Sequence, residues 1–342
     1  MAGEAVGRLP PSAGAIGATG GSPGSANAGP AQQSATAATA RDPMRLRTAA
    51  TLPDTLPRMP KRAAARVSDL LRAPTSGLDL AAVDTRATPG FKGGKTEGRE
   101  ALPQIGEQLA DLQEKLYANG RTGGNRRVLL VLQGMDTSGK GGTVGHVLGQ
   151  VDPGGVHIAA FKRPTPEELA HDFLWRIRRQ LPDAGMLGVF DRSHYEDVVT
   201  VRVLKLADKR TWTRRYGSIQ RFEESLVQDG TTVVKCFLHI SPEEQKARLL
   251  ARLDDPTKHW KFNPGDIDNR VLWDDYMRAY GEAIERTSTD VAPWHVVPAD
   301  RKWYRNWAIS NLLAEALTGL GLAWPAATFD VEVERRRLQA MP

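Results

Sequence analysis

The stretch "LLVLQGMDTSGKGGTVGHVL", residues 129–148, decides the fold. An apolar run ends at Gly134, and after four intervening residues comes Gly139-Lys140. That is the GxxxxGK spacing of a phosphate-binding loop. Glycines at 134, 139, 141 and 142 let the backbone turn tightly and aim N–H groups at one anion. The following helix adds the positive end of its dipole, and Lys140 adds a point charge. GxxxxGK alone arises by chance; between a buried strand and a helix it carries weight. One position departs from the pattern. Gly141 stands where a Ser or Thr hydroxyl would hold Mg²⁺. Thr143, two residues past that position, is a poor substitute. A hard cation needs oxygen ligands. Asp136 lies inside the loop, and Asp191 closes another apolar run as a Walker-B acid does. These two carboxylates are the expected metal ligands. The structural alternatives are a turn bonded to its own backbone for Asp136 and a helix cap for Asp191.

Four more runs read as strands: "VHIAAFK", "GMLGVFDRS", "TTVVKCFLHIS" and "WHVVPA". Helical patterns separate them. Ile105, Leu109, Leu112 and Leu116 fall three or four apart, so 102–120 is an amphipathic helix. "TPEELAHDFLWRIRRQL", residues 165–181, reads as one helix with Thr165 as cap and Pro166 at its first position. "HYEDVVTVRVLKL", 194–206, reads as helical despite its β-branched residues. Ser241-Pro242 opens another helix, and 301–320 closes the domain. Strand–helix alternation predicts an α/β fold, a parallel sheet flanked by helices. Ligands then bind at the carboxyl ends of the strands. Gly134-Met135-Asp136 and Asp191-Arg192-Ser193 share that rim.

Residues 1–60 are Ala, Gly, Ser and Pro with little charge; such a segment buries too little apolar surface to order itself, so a disordered tail is expected. Residues 61–100 read as an N-terminal extension, 101–325 as the main domain and 326–342 as a C-terminal tail. The net charge of +6 favours a polyanionic partner without naming it. A single cysteine, Cys236, excludes an internal disulfide framework and fits a reducing cytoplasm. It reads as a buried structural thiol. No apolar stretch reaches the roughly 20 residues that cross a bilayer, and no interleaved basic–aromatic platform suggests nucleic acid.

"RLLARLDDPTKHWKFNPGDIDNRVLWDDYMRAY" is dense in cations: Arg248, Arg252, Lys258, Lys261 and Arg270. Pro256, Pro264 and Gly265 interrupt any long helix, and Trp260, Phe262 and Trp273 offer anchors. A basic, irregular segment at 248–272 is what a lid over phosphates requires. Together "GMDTSGKGGT", "FKRPTPEELAHDFLWRI", "FDRSHYEDV", "RLDDPTKHWKFNPGDIDNR" and "APWHVVPADRKWYRN" resemble the family-2 polyphosphate kinases over about residues 75–325. That family's loop also lacks the hydroxyl. The resemblance implies a P-loop kinase-like, thymidylate-kinase-like sheet with a basic lid, and a homo-oligomer. It implies Mg²⁺-dependent, reversible phosphoryl transfer between inorganic polyphosphate and a nucleoside mono- or diphosphate: AMP, ADP or ATP, with guanine nucleotides as further acceptors.

By position in those motifs, Asp136 and Lys140 match the loop's metal-side acid and phosphate-gripping lysine. Asp191 and Arg192 match the pair closing the third strand. Arg252 matches the lid arginine, and Asp266 the lid acid before Arg270. The phosphates would lie against Gly134, Gly139, Lys140, Gly141, Gly142 and Thr143. A basic groove from Lys162, Arg163 and Arg176, with Lys258 and Arg270 of the lid, would hold the chain. Arg178 and Arg179 cannot both face one groove on a helix. His171 reads as a structural hydrogen-bond partner, while His194 stays open between structure and catalysis. The rival enzyme is an ATP-dependent nucleoside monophosphate kinase, which shares the architecture but needs no polyphosphate. A non-catalytic binder would carry a degenerate loop, and here Lys140, Asp136 and Asp191 are all present.

Overall fold

The computed structural model describes residues 65–342. The tail expected over 1–60 lies outside them. Five parallel strands form one sheet in the order β2-β3-β1-β4-β5: β1 Arg127–Gln133, β2 Val156–Ala160, β3 Leu187–Asp191, β4 Thr231–His239 and β5 Trp294–Pro298. Central β1 is buried from Val128 to Gln133 because helices cover both faces. Its side chains alternate between two cores. Leu129 and Val131 join one, while Val128, Leu130 and Leu132 join the other.

Seven helices position the site. They are α1 Lys95–Arg121, α2 Lys140–Val147, α3 Lys209–Gln228, α4 Pro242–Leu253, α5 Gly265–Val271, α6 Trp273–Thr287 and α7 Lys302–Gly319. Helices α3 and α6 close the first core, and α1, α2 and α7 the second. Helix α4 begins as its sequence predicts: Ser241 accepts from Glu244 N, and Pro242 takes the first position. Ahead of α1, residues 65–94 wrap the sheet. Val67 N and Ser68 N donate to Glu315 at 2.7 and 3.0 Å. Arg72 bridges antiparallel to His295, covering the open edge of β5.

Three expectations need correction. Residues 165–181 form two short helices, Pro166–Leu169 and Trp175–Arg178. Thr165 caps the first as expected, but the Asp172 carboxylate accepts from Leu174 N and starts a new turn there. Residues 194–206 hold a 3₁₀ turn, His194–Asp197, and one helical turn, Thr200–Val203, since β-branched residues resist a longer helix. No element is expected over 207–230, yet α3 is 20 residues long. Its signal was available: Trp212, Tyr216, Ile219, Phe222 and Leu226 repeat every three or four residues.

Candidate active site

The loop leaves β1 at Gly134, turns through left-handed backbone at Thr137 (φ 65°) and Gly139 (φ 106°), and enters α2 at Lys140. The φ of Gly139 would strain any L side chain, and a Cβ there would also push aside the Arg305 guanidinium, whose Nη1 would lie 1.7 Å away. Lys140 is buried and folds back on its own loop. Its Nζ donates to Gly134 O at 2.7 Å and Met135 O at 3.3 Å. Burial first, and Arg192 next, pull this ammonium below the usual lysine range.

Arg192 follows β3 in left-handed backbone (φ 65°), which is strained for a non-glycine residue. The strain aims its guanidinium across the rim, where Nη2 donates to Asp136 Oδ1 at 2.7 Å. Asn269 of α5 donates to the other Asp136 oxygen at 3.2 Å. Glu196, one turn after Arg192, approaches it at 3.8 Å. Burial opposes the charge on Arg192, but Glu196 and Asp136 outweigh it and raise its pKa further.

Two cavities flank this loop. The first, of about 240 Å³, is lined by Gly134, Asp136, Lys162, Arg163, Arg176, Arg192 and Glu196, with Tyr276 and Tyr280 of α6. Arg176 is held in its wall by Lys162 O at 2.8 Å. The second, of about 470 Å³, lies beyond the loop against Thr137, Gly139 and Gly142. Its walls carry Arg252, Lys258, Lys261, Lys302 and Arg305. Arg305 is buried, and its Nε and Nη2 donate to Asn306 Oδ1 at 3.1 and 2.7 Å. Burial, with Arg248 beside it, lowers its pKa to about 10. A buried cation without a carboxylate partner is costly, and a phosphate in the cavity would offset the cost.

The expected residues therefore sort into groups. Gly134, Asp136, Lys162, Arg163, Arg176 and Arg192 meet in the first cavity, and Gly139, Gly142, Arg252 and Lys258 in the second. Lys140, Gly141 and Asp191 line neither; the Lys140 ammonium is held on Gly134 O and Met135 O, at the wall of the first. Arg252 donates to Lys261 O at 3.0 Å and Asp266 Oδ2 at 3.4 Å. Burial and then Asp136 push the Asp266 carboxyl above its usual range. Thr143 is fully buried and donates to Gly139 O at 3.1 Å, so its hydroxyl serves the helix. Arg270 donates to Pro242 O at 2.6 Å and Gln245 Oε1 at 3.1 Å, pinning α5 to α4. Arg178 pairs with Asp172 at 2.9 Å and Arg179 lies over Trp175, both away from the cavities. Trp260 anchors nothing: it is 79% exposed. His171 stacks on Trp175 in the open. His194 is buried against Glu223, inside a cluster with Tyr195 and Lys235.

Some contributors went unread. Glu196 was legible as the residue one helical turn after Arg192. Arg248 read as a lid charge, but its guanidinium clamps four carbonyls: Thr137 and Ser138 of the loop, and Ala299 and Asp300 after β5. Arg305 lies 165 residues from Lys140, so no local spacing marks it.

Among the described residues no three His, Cys, Asp or Glu side chains gather as a metal cluster. Mg²⁺ does not need one. It commonly takes one or two carboxylates, with substrate phosphates and water completing its shell. The Asp191 carboxylate accepts no hydrogen bond among the described residues, and its Oδ2 lies 4.0 Å from where Gly141 would carry a Cβ. Each Asp136 oxygen keeps a spare lone pair. Both carboxylates offer the oxygen donors that a hard cation takes.

The chain matches the sequence model of Polyphosphate kinase 2 over residues 92–320. It belongs to the polyphosphate kinase 2 family. It is 48% identical over 252 residues to an AMP/ADP-polyphosphate phosphotransferase of Meiothermus ruber, covering 74% of this chain and 93% of that one. It is 41% identical to an ADP-polyphosphate phosphotransferase of Rhodopseudomonas palustris, covering 73% and 89%. The crystal structure of Polyphosphate Kinase 2 from Arthrobacter aurescens TC1 superposes with a TM-score of 0.79 at 54% identity, over 81% of this chain and 98% of that one. The P-loop kinase-like fold and the enzymatic class follow from family membership. The rival that needs no polyphosphate is not favoured, since relatives matched at high identity carry polyphosphate in their names.

Proposed function

We propose that this member of the family transfers a phosphoryl group between inorganic polyphosphate and an adenine nucleoside mono- or diphosphate. One observation carries the reading. A single phosphate loop lines two cation-rich cavities, Gly134 and Asp136 facing one and Gly139 and Gly142 the other, with Lys140 folded back on the loop at Gly134 O. One site for each phosphate carrier is what transfer between two polyanions requires. The relatives' names, which include both AMP and ADP, support both acceptors. Guanine nucleotides, a homo-oligomer and a cytoplasmic setting belong to the same proposal. No helix among the described residues is long and apolar enough to cross a membrane.

The donor chain lies along the second cavity, its end on the glycines of the loop. The acceptor enters the first cavity, smaller than the ~300 Å³ of most small-molecule pockets, so the cavity takes its phosphates and leaves the nucleoside toward the rim. The attacking phosphate oxygen is already an anion and needs no strong base. Lys140 releases Gly134 O to grip the transferring group. Arg192 and Arg252 stabilise its charge from opposite sides, and each is worth about 10²–10³ in rate. Asp136 and Asp191 would hold Mg²⁺, which when bound neutralises charge on the phosphates. The lid residues, with Asp266 and Arg270 holding their arrangement, keep water from the donor.

The test is incubation with Mg²⁺, long-chain polyphosphate and either AMP or ADP, followed by separation of the nucleotides. ADP from AMP marks a monophosphate acceptor. ATP from ADP marks a diphosphate acceptor, once a control without polyphosphate excludes dismutation. Lys140→Ala should yield neither. Transfer from ATP to AMP with none from polyphosphate would sink the reading.

A further inference from the structure

A third cavity, of about 840 Å³, adjoins the second and shares His146 and Lys302 with it. It runs outward between α1 and the start of α7. Arg86, Lys95, Arg99, Arg301 and Lys302 line it. Its one carboxylate, Asp300, is committed elsewhere: it accepts from Thr85 Oγ1 at 2.8 Å and from Ser241 N at 2.9 Å and Oγ at 3.1 Å. Among the described residues, none of the five cations has a carboxylate within 4.0 Å, although many exposed arginines of this chain do. Arg66 pairs with Asp69, Arg278 with Asp275 and Arg337 with Glu334. Five unpaired like charges in one groove repel each other and sum to a positive potential that a polyanion relieves.

We propose that this groove is a distal subsite for the donor, binding polyphosphate units far from the reacting end. The inference rests on the function proposed above. The path runs from the loop past Arg305 and Lys302, around the start of α7, to Arg99, Lys95 and Arg86. A short donor ends before it; a long one fills it. The groove therefore makes KM depend on chain length and leaves the chemical step at the loop untouched. Binding of this kind is electrostatic, so it weakens steeply with salt.

The experiment compares the parent with Arg86→Ala/Lys95→Ala/Arg99→Ala, three exposed side chains outside both inner cavities. Steady-state rates are read on long-chain polyphosphate and on a chain of a few units. Equilibrium binding of long-chain polyphosphate without nucleotide is titrated across a salt series. The variant should raise KM for the long chain on the order of tenfold with kcat held. The short-chain KM should not move. The log–log salt slope of binding should flatten by roughly one unit for each cation removed from the donor's path. Arg99→Glu repeats the test with one change in the second turn of α1, should the triple variant unfold. Equal KM rises for both donors, or no change with either and an unchanged salt slope, overturn the distal subsite. A parent that turns over no polyphosphate defeats the proposed activity instead, and the binding series still decides whether the groove holds the chain.

Discussion

Lys140 costs stability at the site proposed for transfer. Its folded-state pKa lies below the ordinary 10.5 because burial disfavours the ammonium. Between the folded pKa and 10.5 the unfolded chain binds more protons than the folded one, so this residue makes stability rise with pH there. The penalty is fully present below the folded pKa and gone above 10.5. Lys140→Met should therefore melt higher than the parent at neutral pH and lose transfer activity. Its advantage should shrink to nothing as pH passes 10.5; calorimetry across pH checks this. A lower melting temperature at neutral pH would mean that the two carbonyl bonds outweigh the burial cost. The same logic applies to Arg305. It is buried beside the loop with no acid as partner, so a bound phosphate would supply the pairing that the fold does not.

At the scale of elements, close approach matters more than propensity. A Cβ on Gly98 of α1 would lie 2.2 Å from Cε3 of Trp303, in the first turn of α7. Gly98→Ala should cost about 1–3 kcal/mol through overpacking, read as a lower urea midpoint at unchanged slope. The strands were legible because each is a short apolar run bounded by polar or glycine residues. The phosphate loop was legible because its chemistry is local. The break at Asp172 was not, since one carboxylate accepting one backbone N–H splits a helix without disturbing its periodicity. Arg248 and Arg305 became partners of the loop only through tertiary folding. Lysine and arginine look alike on a surface and in a clamp, so composition sorted neither.

At the scale of the whole molecule, the family match begins at residue 92, but the folded body begins earlier. Val67, Leu71, Ala73 and Leu80 are all buried in the two cores. Each large side chain among them is worth about 1.5–3 kcal/mol of burial. Three of them approach the whole net stability of a typical domain, about 5–15 kcal/mol. The Thr85–Asp300–Ser241 bonds also tie this segment to the start of α4. A chain trimmed to start at residue 92 would bare the edge of β5 and the apolar ground under residues 67–80. Light scattering should find it self-associating, where the parent gives one defined species. Anyone shortening this enzyme for immobilisation or fusion should treat the strap before α1 as a plug that keeps the open side of the sheet from gluing one molecule to the next.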